Sequence, residues 1–131
     1  DPIAGEQHVK IAASQGALLF GHRSVQADAT NVYWANGSLQ SAPFIGGDPF
    51  SSLVAQPIDG ASIVAFALDS AGKIAYFGTD RGSLEKSTFA DAQAGSEATP
   101  VARALTKVTS VVLDASSVYL ADGCQIFKTA R

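Results

Sequence analysis

The chain has no methionine, one cysteine, one tryptophan and two histidines. Each scarcity excludes something. Cys124 has no partner for an internal disulfide, so the fold does not depend on one. It reads as a small, half-buried side chain rather than a reactive thiol, with Lys128 the one nearby residue that could lower its pKa. His8 and His22 form no His/Cys cluster at transition-metal spacing. Only 16% of residues are charged, no run of Lys or Arg exists, and the net charge is −3 with a pI near 5.1. Nucleic acid and anionic membrane surfaces are therefore poor partners. No apolar stretch approaches the roughly 18 residues that cross a bilayer as a helix. A Gly-x-Ser-x-Gly elbow and a phosphate loop are both missing. Gly46-Gly47-Asp48-Pro49 reads as a turn with no following helix to receive a phosphate. With Asp at position 1 and no methionine, the expectation is a chain cut from something longer. What is present is apolar: 47% of 131 residues, enough for one domain with a real core.

The chain is organised around residues 28–37, D-A-T-N-V-Y-W-A-N-G. A related pattern runs from Asp69 through Tyr76-Phe77-Gly78, and another from Asp114 through Val118-Tyr119-Leu120 to Asp122-Gly123. The three tyrosines, Tyr33, Tyr76 and Tyr119, are 43 residues apart in both intervals. A fixed period in the forties with strand-like content marks a radial or stacked repeat.

Each unit lays out as strands. An inner strand ends in Asp (24–28, 63–69, 108–114), and a short polar turn leads to the tyrosine strand (32–34, 74–77, 118–120). Asn36-Gly37, Asp80-Arg81-Gly82 or Asp122-Gly123 then closes a hairpin, because these residues accept positive φ. A third strand follows (39–42, 84–87, 126–129), and a longer loop leads to a fourth (52–56, 101–105). Helix is nearly absent. The best candidate, 88–95, is too short to stand alone and reads as loop. Four strands per 43 residues is a propeller blade. The fold class is thus all-β, a β-propeller with about three four-stranded blades in a single domain, 1–131. Blade 1 covers about 24–56, blade 2 about 62–106, and blade 3 about 108–129 plus an outer strand from 17–20 of the same or a partner chain. Val32, Trp34, Ile63, Phe66, Leu68, Phe77, Val111, Leu113, Val118 and Leu120 should lie in or between the blades.

An Asp followed by Val-Tyr-Trp-Ala-Asn-Gly resembles the tyrosine-tryptophan (YWTD) propeller repeat of lipoprotein-receptor type, and the related repeat of many bacterial secreted propellers. Residues 28–39 carry the best match and 114–128 a good one, while the middle copy has Phe77 in place of Trp. The resemblance implies a propeller fold and a secreted or periplasmic location. It carries over no catalytic residue, because the shared positions are structural.

The third blade lacks its outermost strand, and an orphan strand at 17–20 stands in the position of one. Three blades are below the usual range of about 4 to 8. The expected remedy is a homodimer, two halves closing a six-bladed ring with 17–20 exchanged onto the partner's last strand. Another chain carrying the remaining blades would serve equally. Tyr119 and Phe127 should lie on the end faces that such an assembly buries.

Function reads best as a non-catalytic binding or protein-interaction module, with the loop end of the axis as the place for a ligand. His22, Arg23, Asp59, Asp80, Arg81 and Lys107 are the candidate residues, set against the plainer reading that they are solvated loop charges. A carbohydrate is one ligand that a repeated ring with aromatics would suit. The alternatives are a propeller-type hydrolase or lyase, calcium-dependent through carboxylate and backbone oxygens, or a fragment of a larger propeller. Asp28, Asp69 and Asp114 are more simply turn-fixing acceptors than cation ligands.

Overall fold

The computed structural model describes residues 25–43, 52–90, 93–94, 97–103, 106–122 and 125–131. Among these, every regular element is a strand. The first sheet is an antiparallel meander of β1 (Val25–Ala27), β2 (Asn31–Asn36), β3 (Ser38–Pro43) and β4 (Ser52–Ala55), hydrogen-bonded in chain order. The second runs β5 (Ile63–Asp69), β6 (Ile74–Thr79) and β7 (Leu84–Ala90), with β8 (Gln93–Ala94) and β9 (Thr99–Ala102) both paired to β7. The third contains β10 (Ser110–Leu113), β11 (Ser117–Ala121) and β12 (Ile126–Ala130), again in chain order. Most strands read from the sequence are thus found within two residues of their expected bounds, but β7 runs three residues past the expected 84–87 and β9 ends three residues short of the expected 101–105. The segment 17–20 lies outside the described residues. Among the described residues no helix is long and apolar enough to cross a membrane.

The stretch 88–95, read from the sequence as loop, carries strand at its described residues. Thr88, Phe89 and Ala90 extend β7, and Gln93 and Ala94 pair back on Ala90 and Phe89. The cause is Phe89, whose ring meets Tyr33 of the first sheet edge-on, centroids 5.9 Å apart at 61°. Burying that ring favours an extended backbone over an isolated helical turn.

The second sheet is covered on both faces, and so forms the centre. Toward the first sheet it presents Phe66, Phe77 and Phe89, which pack with Tyr33, Ala35, Leu39 and Val54. Toward the third it presents Ala67, Tyr76 and Leu84, which pack with Val108, Val111, Val118 and Leu120. Strict alternation makes this two-sided burial possible, since neighbouring residues of one strand face opposite cores. The approach to the third sheet is close at Gly78, where an added Cβ would collide with Val108 Cγ1. Of the residues expected in the core, Trp34, Ile63, Phe66, Phe77, Val111, Val118 and Leu120 are buried. Val32, Leu68 and Leu113 are only half-buried. Each lies at or next to the last pair before its Asp turn, Ala27 with Val32, Leu68 with Ala75 and Leu113 with Val118.

Candidate functional site

The Asp turns come first, because they fix the tyrosines. Asp28 Oδ1 accepts from the backbone N–H of Thr30 (2.9 Å) and Asn31 (2.8 Å), while Oδ2 accepts from the Tyr33 hydroxyl (2.7 Å). Asp114 repeats the arrangement with Ser116, Ser117 and the Tyr119 hydroxyl at 2.8, 2.7 and 2.8 Å. Burial works to raise the Asp28 carboxyl. The Tyr33 hydroxyl, with the N–H groups of Thr30 and Asn31 and the Thr30 hydroxyl, outweighs it and holds the pKa at about 2. Tyr33 moves the other way, raised by burial and then by its bond to the Asp28 charge. Asp114 is lowered chiefly by the Ser116 N–H and the Tyr119 hydroxyl. These carboxylates therefore serve as turn clamps. Among the described residues no three His, Cys, Asp or Glu side chains converge to hold a metal ion.

The middle turn departs from this pattern. Two extra residues separate Asp69 from Tyr76, and Lys73 sits at φ +56° to close the longer loop. Asp69 Oδ1 accepts from Gly72 N–H at 2.9 Å, but Oδ2 goes to the guanidinium of Arg131. Arg131 also donates to the carbonyl of Asp114 at 2.9 Å and lies over the Tyr76 ring, 5.8 Å from its centroid. It thus ties the third sheet to the second.

At the opposite end of the sheets lie the hairpin tips and the loops entering each inner strand. Ile63 N–H donates to Gly37 carbonyl (2.7 Å), Ser62 N–H to Asp80 Oδ1 (2.9 Å), and Thr106 hydroxyl to Asp122 carbonyl (3.3 Å). Three of the candidate ligand residues meet here. Arg81 Nη1 donates to the Asp59 carbonyl at 2.8 Å and stands 3.7 Å from its carboxylate, both side chains more than half exposed. Lys107 is exposed on the neighbouring loop, one residue before Val108. His22 and Arg23 lie outside the described residues. Beneath the loop is a residue that sequence reasoning missed. Glu85 is buried, accepting Ser83 hydroxyl at 2.9 Å on Oε1 and Ile58 N–H at 3.1 Å on Oε2. Its strand parity carried the signal, since it pairs with Phe77 and so faces the same core. Trp34 is buried and offers no exposed platform for a sugar ring.

The end faces are the remaining feature. In register, Val25, Phe66 and Val111 hold one repeated position, paired with Trp34, Phe77 and Leu120. Phe66 and Val111 are 1% and 6% exposed, whereas Val25 is 62% exposed. The tyrosines show the converse. Tyr33 and Tyr76 are each covered by the sheet that follows, at 1% exposure, and Tyr119 is only half-buried. Beside it Val112 and Ile126 are 57% and 80% exposed. Phe127 is not on this face. Its pairing with Leu120 turns it inward against the second sheet, which corrects the sequence expectation.

No protein-family model matches the chain, and no curated protein matches it. Among solved structures the fold is similar to that of the computationally designed Ika4 protein, with a TM-score of 0.50 over 95% of this chain and 99% of that one. At 10% identity the likeness is one of fold alone.

Proposed function

We propose that the chain is a non-catalytic protein-interaction module built on three successive blades of a β-propeller, with a ring that association completes to six. One observation carries this reading: a position buried in both sheets that have a described neighbour on that side is open in the sheet that, among the described residues, has none. Val25 against Phe66 and Val111 shows it at one end, and Tyr119 against Tyr33 and Tyr76 at the other. Solvent-facing apolar surface at the two ends of a stack is what an interrupted ring leaves, and it marks an association surface. The missing blades come from a second copy or from another chain that carries them. The exposed Asp59, Asp80 and Arg81 loops sit at one end of the sheets, where a ligand would be read without disturbing the core.

The test is light scattering together with binding of a fluorescent dye for exposed apolar surface. The expected result is association at micromolar concentration, or a 13.4 kDa monomer that binds the dye through its end faces. A monomer that binds no dye, and whose Val112→Ser and Ile126→Ser variants behave identically to it, sinks the reading.

A further inference from the structure

Resting on the reading of the chain as an interaction module, we infer that the outer edge of β12 is a peptide-binding site. It takes an extended strand of a different chain, of the form Ser/Thr-x-Val-Ala, as the fourth strand of the third sheet.

The first two sheets show what such an edge receives. Each third strand pairs with a fourth in one register. Leu39, Gln40 and Ser41 of β3 lie opposite Ala55, Leu53 and Ser52 of β4. Leu84, Glu85 and Lys86 of β7 lie opposite Ala102, Pro100 and Thr99 of β9. Both ladders slip at the same step, between Leu39 and Gln40 and between Leu84 and Glu85, which makes Val54 or Val101 the extra residue. The two fourth strands also share a pattern, Ser52-Leu53-Val54-Ala55 and Thr99-Pro100-Val101-Ala102. Val54 is buried in the core that holds Tyr33, and Val101 packs on the core that holds Tyr76. The bulge thus turns a valine toward the tyrosine face of each sheet.

The third sheet repeats the receiving strand. Leu39, Leu84 and Ile126 hold one position, opposite the residue two past each tyrosine, Ala35, Gly78 or Ala121. Leu39 and Leu84 are fully buried, whereas Ile126 is 80% exposed. Among the described residues no strand pairs with β12 on the side away from β11. In the common register an added strand sets its alanine opposite Ile126, its x residue opposite Phe127 and its hydroxyl residue opposite Lys128. Its valine then falls on the face that holds Ile126 and Tyr119. Phe127 is half-buried and faces the other way, so an apolar x residue, as Leu53 is, shields it too. A row of unpaired N–H and C=O groups is a template for strand addition: backbone bonds give affinity, and alternate side chains choose the peptide.

The occupant belongs to a different chain. The pattern occurs three times in this sequence, at 52–55, 62–65 and 99–102. All three are engaged, the first and last as fourth strands and the middle one as the entry to β5. Residues 17–20, Ala-Leu-Leu-Phe, lack it. A second copy therefore has no free strand of this form to give.

The experiment uses the full chain and a fluorescein-labelled peptide with the sequence of residues 51–57, S-S-L-V-A-Q-P. Wild type should give a saturable rise in fluorescence anisotropy. Val54→Asp in the peptide, or Ile126→Asp in the chain, should weaken binding by more than about tenfold, because a carboxylate would be enclosed among apolar side chains. Val25→Asp, on the first sheet, should leave binding unchanged. Ile126 and Val25 are solvent-facing, so circular dichroism of the three chains should coincide. Amide chemical-shift changes on adding the peptide should centre on 126–128. No saturation by about 1 mM peptide overturns the inference. So does binding that tolerates Asp at position 54 or 126, or shift changes centred on another strand. Light scattering and dye binding are read on the same samples. A chain that associates or binds dye, yet fails the peptide tests, keeps the module reading and loses the β12 site.

Discussion

Replacing Tyr33 by Phe removes one hydroxyl and leaves the ring against Phe89. The lost bond is the 2.7 Å contact to Asp28 Oδ2. A hydrogen bond to a charged group contributes about 1.5–3 kcal/mol. Asp28 is flanked by an exposed turn, so water can partly replace the donor, and the expected loss is about 1–2 kcal/mol at neutral pH. The pH dependence separates this from a packing defect. The folded carboxyl sits at about 2, below the unfolded value near 3.9. A depressed pKa contributes stability that is fully present above the unfolded value and is lost as pH falls through the folded one. Without the hydroxyl the folded pKa moves up toward the unfolded value, so less stability is lost on acidification. The gap between wild type and Tyr33→Phe should thus be full above about pH 5 and close toward pH 2. Urea unfolding at several pH values reads it directly. Tyr119→Phe, which removes the same bond on an exposed turn, should cost less. A gap that persists unchanged at pH 2, or a Tyr33→Phe cost no greater than that of Tyr119→Phe, refutes the reasoning.

Gly78→Ala should destabilise by about 1–3 kcal/mol, because its Cβ would collide with Val108 Cγ1; adding Val108→Ala should return part of the loss in thermal unfolding. Glu85→Ala leaves the Ile58 N–H without its acceptor. Its expected cost is about 1–3 kcal/mol, with faster amide exchange at Ile58, and unchanged exchange would show that the carboxylate does not hold the loop. Trp34→Ala should cost roughly 3–5 kcal/mol, since the ring is nearly enclosed; a loss below about 1 kcal/mol in denaturant titration would show that its burial contributes little.

Much of the sheet layout was legible because each strand carries its own signal. Alternation, an Asp at the turn and a Gly at the hairpin tip are local cues, and they placed β2, β5, β6 and β11 within two residues. The turn role of the Asp residues was legible for the same reason, since the acceptor and its donors are within a few positions of each other. Contacts between sheets were not. Gln26 looks like an ordinary polar residue of a strand, and only the approach of β5 gives its amide two backbone partners. An end face is the expectation for Phe127, yet facing is set by pairing, and Leu120 turns it inward. Three of the candidate site residues do converge at the loop end, but through backbone carbonyls and N–H groups that side-chain identity does not announce.

The middle repeat shows which part of the pattern is fixed. The tyrosines keep their spacing of 43 although the Asp residues are 41 and then 45 apart. Pairing explains the difference: each tyrosine sits opposite the residue two before its Asp, Gln26, Ala67 or Val112. The insertion therefore stays in the turn, where Lys73 absorbs it, and the sheet keeps its register. The longer turn ends the bond between Asp69 and its tyrosine, and a residue from the next sheet takes that place. Arg131 stands three residues beyond Lys128, the partner of Tyr119. Phe89 stands three beyond Lys86, the partner of Tyr76. Both reach back over the preceding tyrosine, Phe89 onto Tyr33 by its ring edge and Arg131 onto Tyr76 by its guanidinium. The position, not the residue type, carries the function of covering the tyrosine. Where the turn frees a carboxylate, a cation at that position satisfies both the ring and the charge.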